Sequence, residues 1–348
     1  MTGSTSDPAP WRRDATAGDD SPYRHARPHP EDAPRYRTLT YEVDGRVARL
    51  TFDRPEQGNS ITPDTPVELA DAVERADLDP RVHVIVLSGR GKGFCGGYDL
   101  TASAEHLLDP DAADRPGGSD VGGSAAGGRG TVLDPDVQAA NHDPSRTWDP
   151  MLDYAMMNRY TRGFQSLMRA DKPTVAKIHG FCVAGGTDIA LHCDQVVIAA
   201  DAKIGYPPTR VWGVPSAGLW AHRLGDQRAK RLLLTGDCLS GREAAEWGLA
   251  IEAPEPEALD ERTEVLLSRI AAMPVNQLMM VKLALNSALV AQGVQNSQMI
   301  STVLDGISRH TREGYAFQQR AADVGFRQAV RERDAAPFDD AGPSANKG

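Results

Sequence analysis

The sequence of 348 residues lacks long apolar runs and has no surplus of basic charge. No apolar stretch approaches the roughly 20 residues that a membrane-spanning helix needs, and the chain does not open with basic residues followed by an apolar segment. We therefore expect a cytoplasmic protein with no membrane partner. The formal net charge of -10 argues against a nucleic-acid partner as well.

Cysteine is scarce in this chain. The four cysteines follow neither the spacing of a metal site nor that of a disulfide framework: Cys95, Cys182, Cys193 and Cys238. Cysteines of this kind behave as small buried apolar residues in a reducing compartment. We expect no disulfide bond and no bound metal.

Two regions have too few apolar residues to form a core. Residues 1–35 are rich in Pro, Asp, Ser, Gly and Arg, which predicts a disordered tail. Residues 104–146 include the Gly/Ser-rich run PGGSDVGGSAAGGRG, and patterned sequence resumes on both sides of them. We interpret them as an insertion into a folded unit, which forms a mobile lid at one end of a binding site.

The rest of the chain alternates between strand and helix patterns. Between residues 36 and 255 this alternation predicts parallel strands joined by right-handed crossovers, hence an α/β core. Asp44-Gly45 favours a hairpin within this core, and Val67, Leu69, Ala70 and Val73 lie largely along one face of a predicted helix. From about residue 256 to 340 the patterns are helical alone, which predicts a second, helical domain.

Two buried strands end in glycine-rich turns. Gly96-Gly97 follows the first strand, and Gly185-Gly186 follows the second at the start of a helix. Glycine lets a ligand touch the backbone N–H groups, and a helix N-terminus adds partial positive charge. Two converging N–H donors are what an oxyanion needs, and each is worth ~3 to 4 kcal/mol toward a developing negative charge. The two turns predict an oxyanion-binding site.

Four blocks in order along the chain resemble the signature blocks of the crotonase superfamily, the enoyl-CoA hydratases and isomerases. The blocks are FDRPEQGNSIT, VIVLSGRGKGFCGGYDL, KIHGFCVAGGTDIALHCDQVVIAADAKIGYPPTRVWGVP and LLLTGDCLSGREAAEWGLA. The resemblance implies a spiral core of ββα turns, a C-terminal helical trimerisation domain and a homotrimer or homohexamer. It also implies an acyl-CoA substrate, so that coenzyme A arrives with the substrate and no separate cofactor is expected.

The resemblance also implies roles for particular residues. The N–H groups of Tyr98 and Gly185 would bind the thioester oxygen, and Asp188 would be the principal acid–base group. The residues expected to bind substrate around them are Gly97, Asp99, Leu100, Gly186, Tyr206 and Trp212.

The chain departs from the family pattern at the acid–base positions. Hydratases of the family place two glutamates at the substrate, which permits concerted addition of water across a double bond. Here Asp188 stands at the first position, and Pro208, which cannot titrate, stands at the second. Three readings stay open: a hydratase or isomerase that forms a thioester enolate, a family hydrolase that cleaves a C–C or thioester bond, and a CoA-binding scaffold without catalysis.

Other side chains near the insertion are alternative candidates for the acid–base group. They are His142, Asp149 and Tyr154. Asp149-Pro150 is also typical of the capped start of a helix, and we favour that structural interpretation.

Overall fold

The computed structural model describes residues 36–99 and 130–335. The predicted tail, Leu100 and residues 104–129 of the predicted insertion lie outside these ranges. The strands are β1 (Leu39–Asp44), β2 (Val47–Phe52), β3 (Val84–Gly89), β4 (Thr174–Ile178), β5 (Phe181–Val183), β6 (Gln195–Ile198), β7 (Lys203–Gly205) and β8 (Cys238–Ser240). The helices are α1 (Asp64–Leu78), α2 (Pro135–His142), α3 (Pro150–Arg169), α4 (Gly185–His192), α5 (Ala217–Leu233), α6 (Gly241–Trp247), α7 (Leu259–Ala271), α8 (Val275–Ala291), α9 (Val294–Ser308), α10 (Arg312–Val324) and α11 (Phe326–Ala335).

The strands form two sheets. One sheet has the order β1-β2-β3-β4-β6, in which only β1 and β2 are antiparallel, and the other has the order β5-β7-β8. The antiparallel pair is the predicted hairpin, and Gly45 adopts the positive φ of 57° that its tight turn requires. The predicted α/β fold followed by a helical C-terminal region is confirmed.

Helix α1 packs against α3 beside the larger sheet. It buries Leu69, Ala72, Val73 and Ala76, which share one helical face by their i, i+3 and i+4 spacing. Val67 is 55% exposed and lies off this buried face, although the sequence pattern grouped it with Leu69 and Val73. The buried face of α1 is centred on Ala72 and Ala76. A search for large apolar residues gives such alanines too little weight.

Part of the predicted insertion is folded. Helix α2 lies within it, and the buried Asn141 side chain donates to the Asp149 carbonyl at 3.1 Å and accepts from the Asp149 N–H at 2.8 Å. Asp149 in turn caps α3 by accepting from the Met151 N–H at 2.9 Å, so the capping interpretation is confirmed. The lid prediction for residues 104–129 concerns residues that the structure does not describe, whereas residues 135–142 pack on the start of α3.

From the short 3-10 helix Pro256–Ala258 to Ala335, the chain consists of helices and the loops that connect them. Lys282 of α8 is only 6% exposed, and its ammonium donates to the carbonyls of Leu167 and Lys172 at 3.1 and 2.9 Å. The same ammonium pairs with Asp194 at 2.9 Å. Within the described ranges, no helix is both long enough and apolar enough to cross a bilayer. Helix α8 is thus attached to the core by a buried charge.

Replacing Lys282 with Met should lower the free energy of unfolding by about 3 kcal/mol, because Asp194 and two carbonyls lose their common donor. Urea denaturation followed by circular dichroism measures the change. The matched control is Lys230→Met, which removes an exposed i, i+4 pair with Asp226 and should cost less than about 0.5 kcal/mol. Equal small losses in the two variants would contradict the attachment role.

Candidate active site

The first glycine turn is held between two neighbouring segments of backbone. On one side, the Val183 N–H donates to the Cys95 carbonyl at 3.0 Å. On the other side, the Ile61 N–H donates to the Gly97 carbonyl at 2.8 Å, and the Asp99 N–H donates to the Ile61 carbonyl at 2.9 Å. These bonds fix the course of the chain on both sides of Tyr98.

The second glycine turn lies directly against the first. Gly97 has φ 98°, and a Cβ atom on it would lie 2.7 Å from the Ala184 Cβ and 3.4 Å from the Gly185 nitrogen. A Cβ atom on Gly185 would lie 2.7 Å from Cε2 of the Tyr98 ring. Ala184 itself has a φ of 51°, which is unusual for a residue with a side chain. The turns can therefore meet only because glycine occupies both of them.

The amide groups of Tyr98 and Gly185 are available as donors. Neither N–H donates a hydrogen bond to any acceptor within the described ranges. Gly185 is the first residue of α4, where backbone N–H groups have no intrahelical partner and the helix dipole is positive. This geometry supports the predicted pair of oxyanion donors, which stays a prediction.

A cavity of about 860 Å³ opens beside the two turns. Several of the predicted site residues contribute to its wall, together with neighbours from the turns: Gly96, Tyr98, Asp99, Ala184, Tyr206 and Trp212. Farther along, the wall is apolar and aromatic where Met156, Met157 and Tyr160 project from α3. The cavity is large enough for a bulky acyl group.

The segment after β7 supplies aromatic rather than acidic side chains to the cavity. Tyr206 is buried, and Pro208 lies in the short 3-10 turn Pro207–Arg210 that follows. Trp212 packs edge-on against Phe317 of α10, with ring centroids 5.3 Å apart. Tyr206 and Trp212 both line the large cavity, and their role in substrate binding stays a prediction. No carboxylate takes the place of Pro208 within the segment.

Asp188 lies in the first turn of α4 and is 5% exposed. Burial raises the pKa of its carboxyl to about 7, although the Ser216 N–H, which donates to Oδ1 at 2.8 Å, opposes the shift. Asp188 faces a second, smaller cavity of about 10 Å³ behind the large one. The residues that line both cavities are Tyr98, Met157, Tyr206 and Asp305.

The tyrosines between the cavities remain neutral at physiological pH. Burial raises the pKa values of Tyr98 and Tyr206 well above the usual value, and the neighbouring Asp188 adds to both shifts. The ring of Tyr98 packs edge-on against Tyr160 with centroids 5.4 Å apart. Tyr98 and Tyr206 thus belong to the wall that the two cavities share.

An ion pair between Asp305 of α9 and Arg309, which directly follows α9, lies at the site. Neither residue was identified from the sequence. Asp305 is 7% exposed, its Oδ1 accepts from the Val214 N–H at 3.0 Å, and its Oδ2 accepts from Nη2 of Arg309 at 2.9 Å. Both side chains line the large cavity. Asp305 is the one charged residue of VQNSQMISTVLDGIS, followed four positions later by Arg309, and that isolation was the available signal.

The alternative acid–base candidates separate in the structure. His142 lines the large cavity, burial lowers its pKa to about 4, and its Nε2 has no partner within the described residues. Asp149 is occupied as a helix cap, as shown above. Tyr154 does not contribute to the cavity wall. Of the three, only His142 reaches the cavity.

The remaining predicted site residues differ in their surroundings. Asp99 lines the cavity and pairs with Arg54 at 2.9 Å, while its Oδ2 also accepts from the Ser60 hydroxyl at 3.1 Å. A Cβ atom on Gly186 would lie 2.6 Å from the Cys95 carbonyl oxygen, so Gly186 is required for the packing of the two turns. Leu100 lies outside the described residues.

The sequence matches one family model in two segments. The model is described as Enoyl-CoA hydratase/isomerase, and it matches residues 42–120 and 149–321. The unmatched interval falls at the end of the predicted insertion.

Several named or structurally solved proteins are similar to this chain over most of its length. A crystal structure of an enoyl-CoA hydratase from Mycobacterium smegmatis is 64% identical, with a TM-score of 0.76 over 86% of this chain and 93% of that chain. The (E)-benzylidenesuccinyl-CoA hydratase of Thauera aromatica is 28% identical over 84% of this chain and 99% of its own. The 1,2-epoxyphenylacetyl-CoA isomerase of Escherichia coli K12 is 26% identical over 71% and 80%, respectively.

The raised pKa of Asp188 predicts a pH-dependent effect of the Asp188→Asn substitution on stability. The folded protein keeps a proton on Asp188 up to about pH 7, whereas the unfolded chain releases it near the ordinary value of 3.8. This group's contribution to stability is therefore present at low pH and is lost as the pH rises through 7. Relative to the Asn variant, the wild-type free energy of unfolding should fall by about 3 kcal/mol between roughly pH 5 and pH 8.

Urea denaturation at a series of pH values measures this difference. Asp226→Asn, an exposed position on α5, controls for the substitution itself. Parallel pH profiles for the wild type and Asp188→Asn would contradict the assigned shift.

Proposed function

The chain belongs to the enoyl-CoA hydratase/isomerase family and acts on an acyl-CoA thioester, and from this premise we propose that it hydrates a conjugated 2-enoyl-CoA. In this proposal the thioester oxygen binds between the N–H groups of Tyr98 and Gly185. Coenzyme A enters as part of the substrate, and no further cofactor takes part in the reaction.

One observation carries the proposal: two available amide donors lie on glycine turns that touch each other beside the large cavity. Negative charge collects on the thioester oxygen when a nucleophile adds to the β-carbon of a conjugated thioester. Fixed N–H donors stabilise that enolate oxygen without having to reorganise during the reaction. The arrangement favours chemistry through an enolate.

Asp188 is the proposed group that exchanges a proton with the α-carbon. With a pKa raised to about 7, both its protonated and its ionised form are populated near neutral pH. General acids and bases work best when their pKa lies close to the operating pH. Asp188 is therefore suited to give a proton to the enolate and to recover it afterwards.

We propose that the acyl group is bulky and aromatic rather than short and straight. The wall next to the turns carries Tyr160, Tyr206 and Trp212, and aromatic rings pack favourably against such side chains. Two of the similar proteins are named for (E)-benzylidenesuccinyl-CoA and 1,2-epoxyphenylacetyl-CoA, which both carry a phenyl ring.

We further propose that the protein forms a trimer or a pair of trimers through its C-terminal helices. Apolar side chains on α8 and α9 are solvent-exposed in the single chain: Met280, Val281, Leu283, Leu285, Val290, Met299, Ile300, Val303, Leu304 and Ile307. An apolar surface of this extent on two adjacent helices favours burial against another copy. We also propose a cytoplasmic location, because the spacing of the four cysteines is that of neither a disulfide framework nor a metal site.

The proposed reaction is tested with cinnamoyl-CoA and crotonyl-CoA by following the ultraviolet absorbance of the conjugated thioester. We expect the wild type to hydrate cinnamoyl-CoA faster. Asp188→Asn should lower kcat by at least about 100-fold and leave the Kd for the acyl-CoA within a few fold, because the amide keeps the size of the side chain but cannot exchange the proton.

Other outcomes of this assay identify the competing readings. Release of free CoA thiol would indicate a thioester hydrolase, and migration of the double bond without hydration would indicate an isomerase. Binding of the thioester without any turnover would indicate a scaffold. Each of these results would replace the proposed hydration.

The proposed assembly predicts that the wild type sediments as a trimer or larger species at micromolar concentration. Leu285→Glu places a charge on the exposed apolar surface and should shift the protein toward the monomer. Leu234→Glu is the matched control, because Leu234 is also exposed but lies at the end of α5. A monomeric wild type, or dissociation by the control alone, would contradict the interface.

A further inference from the structure

Hydration moves two protons, and Asp188 accounts for one of them. Five carboxylate side chains line the large cavity within the described residues: Asp64, Asp99, Asp153, Asp305 and Asp334. Only Asp305 among them also lines the small cavity that Asp188 faces. Asp305 therefore lies at the boundary between the large cavity and the small cavity that the proposed acid–base group Asp188 faces.

Asp305 is held in a fixed position from both sides. The Val214 N–H binds Oδ1 at 3.0 Å, and the guanidinium of Arg309 binds Oδ2 at 2.9 Å. Each oxygen of a carboxylate has a second lone pair, so both can still accept a proton or a hydrogen bond. Asp305 is also close enough to Asp188 for its charge to add to the raised pKa of that carboxyl, after the larger effect of burial.

The small cavity has the size and the chemistry of a water site. Its volume of about 10 Å³ is on the order of that needed for one water molecule. Ser216 lies in its wall and is 3% exposed. Its hydroxyl is near enough to the Asp188 carboxyl to oppose the rise in pKa, yet its Oγ forms no hydrogen bond of normal geometry to a described residue. A water in this cavity would meet the Ser216 hydroxyl and the two carboxylates of Asp188 and Asp305.

We propose that Asp305, supplied by α9, is the second catalytic carboxylate of the reaction and removes a proton from the attacking water. The inference rests on the proposed hydration. The water oxygen forms a bond to the β-carbon while one of its O–H bonds breaks and the proton passes to Asp305. The electron pair of the double bond moves to the thioester enolate, whose α-carbon takes the proton of Asp188.

The two carboxylates divide the work because their surroundings differ. Burial raises the pKa of Asp188 and so favours its protonated form, whereas Asp305 forms an ion pair with Arg309 at 2.9 Å. Pairs of acids held in contrasting environments commonly serve as acid and base. After the reaction Asp305 carries a proton and Asp188 does not, and exchange with solvent restores both groups.

A purely supporting role for Asp305 is the competing interpretation. Asp305 links α9 to the loop by accepting a hydrogen bond from the Val214 N–H. Ser308 makes an equivalent link to the preceding residue, since its hydroxyl accepts from the Gly213 N–H at 2.9 Å. Ser308→Ala breaks the neighbouring link and removes no carboxylate. This variant is the matched control for a change at Asp305.

The test measures cinnamoyl-CoA hydration and, separately, exchange of the α-hydrogens of 3-phenylpropionyl-CoA in D₂O. Asp305→Asn keeps an acceptor for the Val214 N–H and should lower kcat for hydration by at least about 100-fold with KM within a few fold. Exchange at the α-carbon requires Asp188 but no attacking water, so it should stay within a few fold of the wild type. Ser308→Ala should retain both activities.

The outcomes distinguish this inference from the proposed function. If the wild type does not hydrate the substrate, the proposed function fails and the inference fails with it. If the wild type is active and Asp305→Asn hydrates at a similar rate, the inference alone is wrong. Equal loss of hydration in Ser308→Ala would assign Asp305 to support of the loop and would also overturn the inference.

A second variant covers the case in which Asp305→Asn does not fold. Asp305→Glu keeps the charge opposite Arg309 and displaces the carboxylate by one methylene. It should lower kcat for hydration by about 10-fold or more with little change in KM. A kcat within about twofold of the wild type would contradict a role at the reacting atoms.

Discussion

The contact between the two glycine turns is the constraint on which the site depends. Gly97 approaches Ala184 and Gly185 so closely that a side chain at either glycine would collide with its neighbour. The first turn runs parallel to β5 at this contact, where the backbone of Cys95 forms a parallel β-bridge with the backbone of Cys182. Because the small second sheet carries β5, its placement determines where the two amides point and where the cavity begins.

The electrostatic character of the site comes from parts of the chain that are distant in sequence. The first turn of α4 brings a carboxyl that burial keeps partly protonated, and α9 brings a carboxylate beside a guanidinium. Both acids accept a backbone N–H from the same loop, Asp188 from Ser216 and Asp305 from Val214. The loop between Pro207 and Ala217 therefore orders both acids at once.

Local signals in the sequence predicted local structure well. The hairpin at Asp44-Gly45, the start of α3 at Asp149-Pro150 and the glycine turns follow from the conformations that these residues favour. Long-range packing was harder to predict. The isolated charge of Asp305 marks it as unusual, but the order of residues does not indicate that α9 returns to the cavity. The Gly/Ser-rich composition that precedes α2 likewise concealed that short helix. The displacement of Val67 from the core has the same origin, because α3 decides which side of α1 is covered.

Helix α9 carries different chemistry on its two sides. Asp305 faces the cavities, while Met299, Ile300, Val303 and Leu304 are exposed on the single chain. In the proposed trimer, contact of the outer side of α9 with another copy would restrict movement of the inner side that carries Asp305. Dissociation of such a trimer on dilution would then lower specific activity before any subunit unfolds.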